Sequence, residues 1–283
     1  MLQTSQIDPL VKLALKEDVG SRDITTSSII PKNLSVKADI EFKQSGVLCG
    51  IQIAERVFRL TDENLRFLPV ARDGERIEKN REVAYLEGSA AALLIAERTA
   101  LNFLAHLSGV ATRTREFVEK VKNTQANILD TRKTTPGLRL FEKYAVATGG
   151  GMNHRMGLYD QALIKDNHLR ILRKEPIASA VSRLKSSVLK RTIIGVEVKN
   201  LMELKGALKA PVDYILLDNM KVEMVREAVN LRKRAQSKVL FEASGGITID
   251  NVLDYAETGV ERISVGALTH HALSIDISLD IVG

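Results

Sequence analysis

The chain has no tryptophan, a single cysteine, and only 4% aromatic residues among its 283. So few rings argue against the stacking platforms that hold single-stranded nucleic acid. The one cysteine, Cys49, cannot close an internal disulfide, which suits a reducing compartment. The N-terminal stretch MLQTSQIDPLVKLALKEDV carries charges throughout and lacks the apolar centre of a signal peptide. The longest aliphatic run, Ala90 to Ala96, falls far short of the ~20 residues a membrane helix needs. A soluble, cytoplasmic protein is expected.

What is present is ordinary globular usage, 45% hydrophobic and 27% charged. It excludes a disordered tail, a collagen-like repeat and a disulfide-stapled miniprotein. The length allows one large or two modest domains with real cores. Lysine and arginine number 41 against 35 acidic residues, leaving a net charge of +6. That excess is either a diffuse surface field or a set of cations converging on an anionic ligand.

Residues 7–18 predict a short amphipathic helix with Leu10, Leu13 and Ala14 at helical spacing. Strands are expected at Val36–Phe42, Gly46–Gly50 and Val83–Leu86, with a helix over Ile51–Leu60. This irregular mixture reads as α+β. Ser89, a candidate N-cap, opens a helical stretch to about residue 107, with a second after Ser108-Gly109 running to about residue 123. Arg98 shares a face with Ala91, Leu94, Leu101 and Ala105, and a cation on such a face needs a partner. Glu97 is the nearby candidate.

From about residue 126 a rhythm sets in. Short β-branched runs, NILD (127–130), ALIK (162–165), IIGVEV (193–198), YILLD (214–218), VLFEA (239–243) and RISV (262–265), alternate with other segments. Helical patterns lie between them at Leu201–Lys209, Val222–Arg234 and Thr248–Glu257. Near-continuous apolar strands are typical of parallel sheets covered on both faces. The alternation predicts a parallel α/β barrel, with an open doubly wound sheet as the alternative.

Polar residues fall at or just past the ends of these strands: Asp130, Lys165, Glu197, Asp218 and Ser244-Gly245-Gly246. In a βα barrel those ends form the active-site face. Two basic loops accompany them, Thr131–Arg139 with Arg132 and Lys133, and Gly149–Arg155 with His154 and Arg155. Arginine offers a fork for carboxylate or phosphate, and lysine a mobile point charge. Ser244-Gly245-Gly246 before an expected helix at Thr248, and the Ser264-Val265-Gly266 turn, suit a phosphate. Glu197 and Asp218 are hard oxygen ligands for Mg²⁺ or partners for ribose hydroxyls. One cysteine and five scattered histidines give no zinc spacing. There is no P-loop, no GxGxxG after a strand and no GxSxG elbow. Lys165 could instead serve as a Schiff-base lysine, although the surrounding cations suit anions better than an imine.

The segments EDVGSRDITT, ERTALNFLAHLSGVAT, ILDTRKTTPGLRLFEKYAV, GGGMNHRMGLYDQALIKDNH, GVEV, YILLDNM, EASGGI and ISVGALTH, in this order from about residue 17 to 271, closely resemble the quinolinate phosphoribosyltransferase family. That family is also called nicotinate-nucleotide pyrophosphorylase (carboxylating). The resemblance implies an N-terminal α/β sandwich over residues 1–110, rejoined by about 272–283, and an incomplete α/β barrel over 111–271. It implies transfer of phosphoribose from phosphoribosyl pyrophosphate to quinolinate with loss of CO₂, Mg²⁺ dependence, and homodimers or assemblies of dimers sharing active sites. By motif, Arg98 of a neighbouring subunit joins Arg132, His154, Arg155 and Lys165 around quinolinate. Lys133 approaches pyrophosphate, Glu197 and Asp218 the metal and ribose, and Ser244, Gly245, Gly246 and Gly266 the 5′-phosphate. His270 matches the LTH motif with a less defined role. Lys133, Lys165, Glu197 and Asp218 carry the chemistry. Arg22, where a glycine is usual, and His271, where a serine is usual, depart from the pattern. Competing readings are a paralogue of molybdenum-transport operons, a barrel lyase using Lys165 and a nucleic-acid binder.

Overall fold

The computed structural model describes residues 2–172 and 175–282. The chain divides into two compact units, one of residues 1–115, 135–150 and 271–283, the other of residues 116–134 and 151–270.

The first unit contains α1 (Thr4–Val19), α2 (Ile24–Ile29), β1 (Ser35–Phe42), β2 (Gly46–Val47), α3 (Ile51–Thr61), β3 (Arg66–Pro69), β4 (Arg76–Ile77) and β5 (Arg81–Ser89). It also holds most of α4 (Ala90–Val121), and the chain returns to it much later for a final strand, Ile277–Val282. β1, β3, β5 and that final strand form one antiparallel sheet, with β1 hydrogen-bonded to both β5 and Ile277–Val282. Alternation fixes the register of β1: Ala38, Ile40 and Phe42 are buried while Asp39 and Glu41 are not. α3 buries Ile53, Ala54, Val57 and Phe58, and the Phe58 ring lies 5.9 Å from that of Phe67 on β3.

α1 forms where expected but presents a different stripe. Ile7 and Val11 are the buried pair, whereas Leu13 is 61% exposed. Arg56 of α3 grips Asp8 through two bonds of 2.6 and 2.7 Å, which turns the helix so that the i, i+4 pair faces inward. The expected break at Ser108-Gly109 is absent, because α4 is one continuous helix. Leu93, Ala96, Ala100, Leu104, Leu107 and Ala111 make an unbroken buried stripe along it. Gly109 is there for space, since a Cβ would stand 2.1 Å from the Leu273 carbonyl oxygen. By length and composition α4 could cross a membrane, contrary to the expectation from the aliphatic run, and half of its apolar window is buried inside the protein.

The second unit continues with β6 (Asn127–Leu129), followed by a segment, α5 (Arg139–Thr148), that belongs to the first unit. Then come β7 (Gln161–Ile164), α6 (Asp166–Ile171), α7 (Ile177–Ser187), β8 (Ile193–Val198), α8 (Leu201–Ala207), β9 (Tyr214–Asp218), α9 (Val222–Arg234), β10 (Leu240–Ser244), α10 (Val252–Ala256), β11 (Arg262–Ser264) and α11 (Ala267–His270). The six strands form one parallel sheet in the order β6-β11-β10-β9-β8-β7. Five strands follow chain order, and the first, β6, lies against the last. A doubly wound sheet would reverse at an interior switch point, so this is a barrel whose ladder stays open between β6 and β7. Met152 bridges Leu129 on the free edge of β6.

Candidate active site

Strand register sets the level of the functional side chains. Asp218 of β9 pairs with Ser244 of β10, Ser244 with Ser264 of β11, and Ser264 with Leu129 of β6. On the other side Ile164 pairs with Val196, so Lys165 follows β7 at the level of Glu197 on β8. The polar residues read from the sequence at five strand ends therefore share one rim of the barrel. This is the C-terminal rim, where βα loops assemble sites.

Arg155 is only 6% exposed, and its guanidinium is held below its usual pKa by burial and by the positive charge of Arg132. Two guanidinium groups placed close enough to repel are a receptor for an anion. Arg155 Nη1 donates to the Gln161 carbonyl at 3.4 Å. Arg155 also lines a cavity of about 430 Å³ with Gln161, His168, Arg183 and the apolar Leu163 and Leu184.

His154 sits behind Arg155 and is 8% exposed. Its backbone N–H donates to Asp130 Oδ1 at 2.8 Å. Its Nδ1 accepts the Arg155 backbone N–H at 2.6 Å, and its Nε2 lies 3.2 Å from Glu242 Oε1. Sequence reasoning marked Glu242 only as a strand position. The signal was available, because a carboxylate in a buried run such as VLFEA needs a partner as Glu197 does.

Glu197 is half-buried, and its pKa is raised by desolvation first and by the negative charge of Asp218 second. Lys165 pulls in the opposite direction. These three groups thus feel one another. Asp218 Oδ1 accepts from Asn219 Nδ2 at 2.9 Å, and the Asn219 N–H donates to the Ser244 carbonyl at 2.8 Å. A Cβ on Gly245 would stand 2.2 Å from Asn219 Oδ1, which explains a glycine beside the acidic pair.

Gly245 and Gly246 both adopt positive φ, +97° and +64°. The helix expected at Thr248 begins instead at Val252 and is five residues long. Asn251 Oδ1 accepts the Thr248 N–H at 2.8 Å, stabilising a turn where sequence periodicity suggested helix. The anion-binding element here is therefore the glycine turn and not a helix N-terminus. At Gly266 a Cβ would meet His270 Nε2 at 3.0 Å and Lys133 Cδ at 3.1 Å. Thr269 Oγ1 donates to the Lys133 carbonyl at 2.6 Å. Lys133, Gly266 and His270 therefore meet at one point.

Arg98 belongs to the first unit. Its side chain is 63% exposed and lies 3.7 Å from Glu97. The face expected to be apolar and closed is open, with Leu94 also exposed, so the cation has water and needs no buried partner.

Comparison with known proteins agrees with this arrangement. Residues 23–108 match the family described as quinolinate phosphoribosyl transferase, N-terminal domain, and residues 110–280 the corresponding C-terminal domain. A Bacillus subtilis protein named "Probable nicotinate-nucleotide pyrophosphorylase [carboxylating]" is 41% identical over 276 residues, covering 98% of this chain and 93% of its own. A Mycobacterium leprae protein named nicotinate-nucleotide pyrophosphorylase [carboxylating] is 40% identical over 278 residues, covering 96% and 95%. The solved structure of the nicotinate-nucleotide pyrophosphorylase from Francisella tularensis superposes with a TM-score of 0.92 at 37% identity, covering 100% of this chain and 98% of that one. With both domains matched and the strand-end residues on a common rim, the chain belongs to the quinolinate phosphoribosyltransferase family.

Proposed function

We propose that the protein transfers the phosphoribosyl group of phosphoribosyl pyrophosphate to the ring nitrogen of quinolinate and releases CO₂, giving nicotinate mononucleotide and pyrophosphate. The observation that carries this reading is the buried Arg155 beside Arg132, two cations held together where an anion must complete the site. Quinolinate brings two carboxylates. Arg132, Arg155 and Lys165 receive them with His154 behind, and Arg98 of a second copy closes the cage. Its exposure supports that last assignment. The enzyme is accordingly a homodimer or an assembly of dimers, working in the cytoplasm.

Lys133 and His270, drawn together at Gly266, face the pyrophosphate, and Ser244, Gly245, Gly246 and Gly266 receive the 5′-phosphate. Glu197 and Asp218 present carboxylate oxygens whose repulsion a divalent cation relieves. Mg²⁺ is commonly held by one or two carboxylates plus substrate phosphates, so the pair fits it. Bound there, Mg²⁺ supplies charge neutralisation for the departing pyrophosphate.

The cage desolvates and orients the dianion, converting encounter into proximity. Glu197 and Asp218 place negative field near the anomeric carbon as positive charge develops there. Once ribosylated, the ring nitrogen is cationic. It accepts the electron pair released at the adjacent carbon when its carboxylate departs, and that carbon then takes up a proton. A lyase lysine needs a desolvated amine, whereas Lys165 is exposed.

Incubation with quinolinate, phosphoribosyl pyrophosphate and Mg²⁺ tests the proposal, with nicotinate as the control acceptor. Nicotinate mononucleotide and CO₂ in equal amounts from quinolinate are expected. Turnover of nicotinate with quinolinate inert would overturn the reading.

A further inference from the structure

Glu242 is fully buried in the middle of β10, where an isolated carboxylate would be prohibitively costly. Three donors surround it. Arg262 Nε reaches Oε2 at 2.8 Å, Ser264 Oγ reaches Oε1 at 2.5 Å, and His154 Nε2 lies 3.2 Å from Oε1. Replacing such a buried ionic cluster with well-packed apolar residues is often neutral or stabilising, so stability alone does not account for it. The histidine does. Nδ1 of His154 accepts a backbone N–H, so it bears no proton, and the ring proton resides on Nε2 facing Glu242. The Tyr214 ring packs edge-on at 5.7 Å and its hydroxyl is 3.5 Å from the same Nε2. The Arg262 guanidinium lies over the other face of that tyrosine's environment, 4.9 Å from its ring centre.

We infer that Glu242 is a positioning residue of the anion site: through His154 it fixes the imidazole tautomer that holds the Arg155 backbone. A carboxylate that orients a histidine so that its other nitrogen can act is a familiar device in catalytic triads. Here the other nitrogen grips the main chain of the residue whose guanidinium receives the substrate. His154 thus serves the cage through Arg155, since both ring nitrogens are engaged within the protein. The inference rests on the quinolinate reading above for its kinetic consequence, but its structural claim stands apart from turnover.

The test begins with long-range ¹H–¹⁵N NMR of the uniformly labelled full-length protein. The chain has five histidines, and the spectrum of His154→Asn identifies the relevant one. A neutral His154 ring protonated at Nε2 is expected, and a ring protonated at Nδ1 overturns the inference. The second arm compares Glu242→Gln with Glu242→Leu. Glutamine retains an oxygen for His154 Nε2–H, so that variant keeps the tautomer and stays within roughly threefold of the wild-type KM for quinolinate. The leucine variant loses the tautomer and raises that KM about tenfold or more, with the KM for phosphoribosyl pyrophosphate unchanged. An unchanged quinolinate KM in Glu242→Leu refutes the positioning role, as does an equal rise for both substrates. If Glu242→Leu does not fold, the wild-type spectrum and the glutamine variant decide. Should the protein turn over no quinolinate, the tautomer result still stands and only the functional reading fails.

Discussion

Replacing Arg155 with methionine separates the demands of folding from those of binding. The guanidinium is buried at 6% exposure and close enough to Arg132 that its charged form is disfavoured. Methionine keeps most of the side chain's length, removes the charge, and sacrifices one long hydrogen bond to the Gln161 carbonyl at 3.4 Å. Exchanging a poorly compensated buried charge for an apolar side chain commonly stabilises by ~1–4 kcal/mol. Losing one hydrogen bond costs ~0.5–1.5 kcal/mol. The net expectation is a gain of ~1–2 kcal/mol, seen as a Tm rise of roughly 2–8 °C for a protein of this size. Binding moves the other way. A charge-assisted contact to a carboxylate is worth ~1.5–3 kcal/mol, so quinolinate affinity should fall about 10- to 150-fold. Differential scanning fluorimetry reads the first effect and calorimetric titration the second. A lowered Tm with unchanged quinolinate affinity would show that Arg155 is a structural cation and would refute the anion-receptor argument.

Gly195→Ala places a Cβ 2.2 Å from Tyr214 Cζ in a buried strand pair, and the overpacking should lower stability by ~1–3 kcal/mol in denaturant titration; a wild-type midpoint would mean the tyrosine ring does not occupy that space. Burial alone would raise the Glu142 carboxyl, but hydrogen bonds from His106 at 2.9 Å and the Thr135 N–H at 3.0 Å hold it below its usual 4.5. A depressed folded value contributes stability above pH ~4.5 that disappears as pH falls through the lower value, so Glu142→Gln should flatten the acid limb of the stability curve, and an unaltered limb would exclude this carboxylate as its source. Asp218→Asn should reduce turnover roughly 10²-fold, the scale of a lost electrostatic contribution, with Tm unchanged. Normal specific activity with a lowered Tm would make Asp218 structural.

The barrel was legible because its signal is local. IIGVEV and YILLD are short apolar runs bounded by turns, and both became strands at the expected residues. The rim was legible for a related reason, since charge placed at the end of such a run has few structural explanations. β3 and β4 were not expected, because two- and four-residue strands with one buried side chain each leave no pattern to find. Gly109 looked like a helix break because glycine is a poor helix former, and only a chain segment far away in sequence, at Leu273, explains it. Leu13 and Val11 are equally plausible in a helical wheel, and Arg56 on another helix decided between them through Asp8. Glu242 was overlooked for the same reason. Its partners His154, Arg262 and Ser264 come from other strands and a loop, so sequence spacing does not reveal them.

Release of labelled CO₂ from quinolinate carrying the label in its 2-carboxylate tests the whole account most directly. Label release that requires phosphoribosyl pyrophosphate, and matches nicotinate mononucleotide mole for mole, is the predicted result. Label retained in the nucleotide product, or CO₂ released without phosphoribosyl pyrophosphate, would contradict it.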